Sequence, residues 1–304
     1  HMFILKYTIS FLKTVEKVYK NFYKGIIEMK YKIIADSGSN VTTLADTDFT
    51  SVPITIMAGG KEYIDDAALD VLVMTDELRE LSTKSSTACP NIDQWLTAFS
   101  EADIIVAVTI TGALSGSYSA AVQAREQYLE EHPNAQVLIL DSQSAGPRMQ
   151  LLVEYAAKLF AAEAPFSEIE SKLTTYQQHT GLLFSLESLT NLVNNGRISA
   201  AAAKISNMLK LRIVGTDTEG KLTPVGKARG QIKAINLLLK EMQAQGFNGK
   251  KACIAHCFNE TGAESLSQKI KETYPACEVT VTTTRGVCSY YAEVGGLMVG
   301  FEKQ

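Results

Sequence analysis

The residues best suited to chemistry fall in three polar turns: Asp36-Ser37-Gly38-Ser39, the stretch TGALSGS over 111–117, and Asp141-Ser142-Gln143-Ser144. Each follows an apolar run, and open parallel sheets bind ligands in the crevice beyond the carboxyl ends of their strands. In the middle turn Ser115-Gly116 is expected at the first turn of the next helix. Free backbone N–H groups and the helix dipole there favour an anion. Ser115 adds a hydroxyl donor, and Gly116 lets a ligand approach the backbone. Ser is also an ordinary helix N-cap, and on this stretch alone capping stands ahead. SSTACP, residues 85–90, is a second candidate; Thr87 stands ahead of a Pro that opens a helix over 91–99. A capping loop is the default reading for such a stretch.

Several reactions lose support from the same residues. Neither turn contains G-x-x-x-x-G-K-[ST], and no G-x-G-x-x-G follows a strand, which argues against nucleotide phosphates. Ser115 as a nucleophile sits in L-S-G-S, outside the G-x-S-x-G elbow. Apart from His1, its base has to be His132, His179 or His256. These lie before a Pro, at a helix end and in a strand, and each reads as structural. Cys253, His256 and Cys257 lack a second Cys/His pair for a metal, and strand alternation points His256 and Cys257 to opposite faces. Arg197, in NNGRIS (194–199), either caps the preceding helix or pairs with a carboxylate or a partner protein.

The elements that must position these turns alternate from residue 30 onward. YKIIAD, VPITIMAGG, ADIIVAVTI and AQVLILDS read as strands; TDELRELSTK, NIDQWLTAFSE, GSYSAAVQAREQYLEEH and MQLLVEYAAKLFAAEA read as helices. Continuous apolar runs mark inner parallel strands, so the first half predicts a mostly parallel sheet with helices on both faces. After Pro165 the pattern becomes α+β. It has a helix in FSEIESKLTTYQQH, a strand in GLLFSLES and a mostly helical stretch from Ser188 to Leu209. A hairpin turning at Glu219-Gly220 follows, then a helix closed by Gly246 and strands in KACIAHCF, CEVTVTTT and GLMVGF. The expected layout is α/β with two domains, 29–170 carrying the binding turns and 171–304 completing a pocket.

Composition narrows the class. The 304 residues are 46% hydrophobic and 20% charged, with a net charge of −4. A sizeable core is expected, and nucleic acid or an anionic membrane is not expected to engage the whole surface. Five scattered cysteines suit a reducing cytoplasm rather than a disulfide framework. No apolar run is long enough to span a bilayer. His1-Met2 reads as a cloning remnant and residues 1–28 as an extension, with Met29 a plausible natural start. The alternative is an amphipathic helix that covers an apolar surface or makes transient membrane contact.

Taken in order from about residue 31, these stretches resemble the DegV family of bacterial fatty-acid-binding proteins. ADSGSNV is similar to the family's opening Asp-Ser turn, and YIDD (63–66) to its Tyr-x-Asp-Gly element. STACPNIDQWLTAF resembles its Thr-Ser-Gln-Pro stretch, TGALSGSYSAA its Ser-Ser-x-Leu-Ser-Gly-Thr-Tyr turn, and NNGRIS its Gly-Gly-Arg-Ile-Ser. The resemblance implies two α/β domains around a buried tunnel for a long-chain fatty acid, with no cofactor and no catalytic residues of its own. By motif position Thr87 and Ser115, with Gly116, take the carboxylate; Ser37, Ser117, His256 and Tyr291 are further candidates for the pocket or its polar turns. It also implies a separate dihydroxyacetone-kinase-like fatty-acid kinase, engaged through Arg197, that phosphorylates the bound acid. The chain departs from the family at Ala88-Cys89, Thr111-Gly112 and Ser117, and Tyr291 stands where the family often has His. A serine hydrolase or acyltransferase using Ser115, and a binder of another small carboxylate, are the rival readings.

Physical chemistry accommodates such a ligand. Burying methylenes at roughly 0.8 kcal/mol each gives a sixteen-carbon chain on the order of 10 kcal/mol before ordering costs. Its carboxylate must be hydrogen-bonded once buried, and a helix N-terminus with two hydroxyls does that without a buried Lys or Arg.

Overall fold

A computed structural model describes residues 29–81, 83–100, 102–198 and 211–304. In chain order it contains β1 (Tyr31–Asp36), a 3-10 turn (Ser37–Ser39), β2 (Phe49–Val52), β3 (Thr55–Ala58), β4 (Lys61–Ile64), α1 (Val71–Glu80), β5 (Ser86–Ala88), α2 (Ile92–Phe99), β6 (Ile104–Thr109), α3 (Ser117–Glu131), β7 (Gln136–Asp141) and α4 (Pro147–Ala161). Then follow α5 (Phe166–Gln178), β8 (Thr180–Leu186), α6 (Thr190–Asn194), β9 (Leu211–Thr218), β10 (Lys221–Arg229), α7 (Gln231–Ala244), β11 (Phe247–His256), α8 (Glu260–Thr273), β12 (Glu278–Thr283), α9 (Gly286–Ala292) and β13 (Leu297–Lys303). The extension expected over 1–28 and the helix expected beyond Ile198 lie outside the described residues.

The first sheet is parallel throughout, in the order β2-β1-β6-β7. Register aligns Ile33 with Val106 and Val106 with Leu138, one residue ahead of the row Ile34, Ala107, Ile139. Because side chains alternate along a strand, the two rows build two cores. Ile33, Val106 and Leu138 pack with Met149, Leu152 and Ala156 of α4. Ile34, Ala107 and Ile139 pack with Trp95 and Phe99 of α2 and Ala121 and Ala124 of α3. Burial on both faces is why these strands read as unbroken apolar runs.

The second sheet is mixed, in the order β10-β9-β8-β13-β11-β12, with β11 and β12 its parallel pair. One face carries Leu183, Ile254 and Val299 against α7 and α8. The other carries Leu182, Phe184, Leu186 and Met298. Helix α4 packs on β1 and β6 and also on β8, β11 and β13, so it is shared by both sheets within the compact unit Tyr31–Gln304. Residue 170 falls inside α5, which touches both β7 and β8.

The elements differ from expectation in several places. SSTACP is no simple loop: Ser86–Ala88 pairs antiparallel with β3 in a small third sheet, β4-β3-β5. Helix α1 starts at Val71, four residues before TDELRELSTK, because the Asp70 carboxylate accepts the Val73 N–H at 3.0 Å and caps it there. Helix α3 starts at Ser117, so Gly116 is its N-cap and Ser115 lies just outside. Helices α8 and α9 were not anticipated.

Candidate functional site

A cavity of about 310 Å³ opens beyond the carboxyl edge of the parallel sheet. Leu182, Phe184 and Leu186 of β8 line it, placed on one face by the two-residue period of a strand, together with Leu192, Leu222 and Met298. Its polar wall comes from Thr87 on β5, Thr111, Ser115 and Gly116 in the β6–α3 turn, Ser144 after β7, and Tyr291 on α9. Arg197 and Asp217 also reach it.

A buried carboxylate holds the β6–α3 turn at both ends. Asp36 accepts the Ile110 N–H at 2.9 Å and the Ser117 hydroxyl at 2.6 Å, and it closes its own turn by accepting the Gly38 N–H at 3.1 Å. Burial pushes its carboxyl up to about 6, while the hydrogen bonds from Ser117, Ile110 and Gly38 pull it down. Between those ends, Asp141 accepts the Gly112 N–H, and the Thr111 N–H donates to Ser144 O at 2.9 Å. The Ser115 N–H donates to Thr111 O at 3.2 Å, so it is not open to a ligand, contrary to the expectation of a free helical first turn. The Ser115 hydroxyl accepts the Ser117 N–H at 3.3 Å, which leaves its proton to give. The Gly116 N–H has no acceptor among the described residues. A Cβ at Gly116 would stand 3.0 Å from the Cys89 sulfur, so glycine lets β5 and this turn come together.

Helix α9 is held from a distance. Asp65, buried, accepts the Gly286 and Val287 N–H groups at 2.7 Å each. Burial raises its carboxyl, and hydrogen bonds from Val287, Ser37 and Gly286 oppose that. Gly286 is needed for this approach, since a Cβ there would lie 2.6 Å from Asp65 Oδ1. So anchored, α9 directs two tyrosines at β5. The Tyr291 hydroxyl meets Thr87 Oγ1 at 2.8 Å, and the Tyr290 hydroxyl meets Ser85 Oγ at 2.8 Å and accepts from Asn195 Nδ2 at 2.9 Å.

The cavity thus brings together Thr87, Ser115, Gly116, Tyr291 and Arg197. Arg197 Nη1 donates to Asn195 O at 2.9 Å and its N–H to Leu192 O at 2.7 Å, which is the capping geometry of the two readings. Ser37, Ser117 and His256 do not line it. Ser37 Oγ accepts the Ile54 N–H, Ser117 is committed to Asp36, and His256 Nδ1 accepts the Asn259 N–H at 3.2 Å. His132 and His179 bond carbonyls of their own helices. Among the described residues no group of three or more His, Cys, Asp or Glu could hold a metal, and no helix is long and apolar enough to cross a membrane. Asp36 and Asp65 are the residues that sequence reasoning left without a role. Their signal was present, an Asp closing a strand ahead of Ser and an Asp pair after Tyr63, yet their partners lie 74 and more than 200 residues away.

Parallel and mixed sheets share one helical layer and enclose an apolar cavity closed by hydroxyls, which defines an α/β protein with a ligand-sized cavity. The chain belongs to the DegV family, whose model, described as an uncharacterised protein family, matches residues 30–304. It is 40% identical over 279 residues to a DegV domain-containing protein of Streptococcus pneumoniae, an alignment covering 90% of this chain and 99% of that one. Its structure is similar to the Streptococcus pneumoniae fatty acid kinase B3 protein loaded with linoleic acid, with a TM-score of 0.89, 39% identity, and coverage of 91% and 100% of the two chains. It is also similar to a DegV family protein from Eubacterium eligens loaded with heptadecanoic acid, with a TM-score of 0.88, 39% identity, and coverage of 90% and 100%.

Proposed function

We propose that this protein binds a long-chain fatty acid in the cavity and presents its carboxylate to a separate, dihydroxyacetone-kinase-like fatty-acid kinase in the cytoplasm. The observation that carries the reading is the division of the cavity wall, with Leu182, Phe184, Leu186 and Met298 on one side and the hydroxyls of Thr87, Ser115 and Tyr291 on the other. The fatty acids carried by the two structural relatives support it.

The carboxylate accepts hydrogen bonds from Thr87 Oγ1, Ser115 Oγ and the Gly116 N–H at the start of α3, where the helix dipole adds to them. Tyr291 turns the Thr87 hydroxyl and stands in for the family's His. Arg197, which lines the cavity, gives its Nη1 to Asn195 O at 2.9 Å, and Arg148, outside the lining, pairs with Asp217 at 2.9 Å, so on this reading neutral donors hold the anion. That arrangement leaves a carboxylate oxygen nucleophilic toward a phosphoryl group brought by the kinase. Arg197 contributes to the surface the kinase meets. The carrier itself needs no cofactor, and Ser115 as a hydrolytic nucleophile has no histidine beside it in the cavity lining among the described residues.

Denaturing extraction after gentle purification, read by mass spectrometry, should yield about one acyl chain per protein. Mixing the loaded protein with a fatty-acid kinase and ATP should convert that chain to an acyl phosphate. An empty cavity overturns the binding reading; a bound chain that no such kinase phosphorylates overturns the presentation step alone.

A further inference from the structure

Ser144 leaves one polar group of the cavity without a partner. It lies in the turn after β7, is 2% exposed and lines the cavity. Its backbone is fixed: the N–H donates to Ser142 Oγ at 3.1 Å, and the carbonyl accepts from Ser142 Oγ at 3.0 Å and from the Thr111 N–H at 2.9 Å. Its own hydroxyl has no hydrogen-bond partner among the described residues. The buried hydroxyls of Thr109 and Ser185 share that condition, but neither lines the cavity. Of the turn hydroxyls, Ser142 gives its proton to Ser144 O and Ser117 gives its proton to Asp36, while Thr111 Oγ1 accepts the Ala113 N–H, and none of these bonds reaches Ser144 Oγ. Native structures pair nearly all buried polar groups, and an unpaired one is costly.

We infer that Ser144 is a specificity-determining residue, and that the cavity's favoured ligand is a long-chain fatty acid bearing a hydroxyl group on its chain. The inference rests on the proposed reading of the cavity as a fatty-acid site. A saturated chain passing Ser144 covers the hydroxyl with methylenes and leaves it unpaired. A chain hydroxyl at that depth gives and takes a hydrogen bond there. A second carboxylate fits less well, because Asp217 lines the same cavity. The turn is rigid, so the preference depends on where along the chain the hydroxyl sits.

The test compares stearic acid with monohydroxystearic acids that differ in hydroxyl position, by displacement of a fluorescent fatty acid. In the unmodified protein one positional isomer should bind about tenfold tighter than stearic acid, the size of one hydrogen bond in a dry site. Ser144→Ala should abolish that preference and bind stearic acid at least as tightly. Ser144→Thr, which keeps the hydroxyl, should retain the preference, and thermal unfolding of both variants checks the fold. The inference is overturned if no isomer outbinds stearic acid, as when a water satisfies Ser144, or if Ser144→Ala keeps the preference. Failure to bind stearic acid at all overturns the fatty-acid reading itself.

Discussion

The carboxyl edge of the parallel sheet and the inner face of the mixed sheet border the same cavity with opposite chemistry. The edge offers Thr111, Ser115 and Ser144 from turns, and those turns are held by Asp36 and Asp141 through hydrogen bonds. The face offers Leu182, Phe184 and Leu186 from one strand, held by packing and ladder bonds. Neither Asp36 nor Asp141 lines the cavity. The contrast separates two kinds of dependence. On the proposed reading, the hydroxyls serve the ligand and contribute little to the fold, whereas the apolar face serves both.

Phe184→Ala is the strongest way to break that contrast. Phe184 is 2% exposed and belongs to the core cluster that also lines the cavity. Its truncation should cost about 4 kcal/mol of stability in urea denaturation and weaken fatty-acid binding as well. Unchanged stability would mean that the face is only a ligand wall.

Asp36 comes next, because its support of the polar edge depends on pH. A carboxyl lifted by burial to about 6 from a usual value near 3.8 holds its proton more firmly in the folded state. Its contribution to stability is full below about pH 4 and is lost as pH rises through about 6, a change of about 3 kcal/mol. Asp36→Asn should flatten the slope of urea stability across that window; an unaltered slope would place the titration elsewhere.

Thr87→Ala and Ser115→Ala have the smallest expected effect. Each should weaken fatty-acid binding by about 2 kcal/mol, the loss of one charge-assisted hydrogen bond, while unfolding temperature stays nearly constant. A large drop in stability with unchanged affinity would reverse the comparison.

The same contrast governed what the sequence disclosed. The parallel sheet was legible because strands buried on both faces leave unbroken apolar runs, as in ADIIVAVTI. The strands of the mixed sheet were legible one by one, but the insertion of β13 between β8 and β11 was not, since it rests on pairings such as Val299 with Leu183 far apart in the chain. SSTACP shows no apolar alternation; it becomes a strand only because Ile56 and Thr87 pair across β3 and β5. GVCSYYA is short and rich in aromatic residues, and its helix depends on Asp65 more than 200 residues earlier. Helix α8 did carry a signal that went unread: Asn259 as cap, then Ala263, Leu266 and Ile270 on one face. At the site, Thr87 and Ser115 stood out through ordered motifs. Ser37, Ser117 and His256 were expected only in the pocket or its polar turns, and they lie outside the lining, because a polar side chain near a strand end looks the same whether it meets a ligand or ties down a loop.

A crystal structure of the protein loaded with palmitic acid tests the central claim most directly. The account predicts carboxylate oxygens about 2.5–3.0 Å from Thr87 Oγ1 and Ser115 Oγ, with the chain running along Leu182, Phe184 and Met298. A carboxylate seated away from both hydroxyls, or a chain bound outside the cavity, would contradict it.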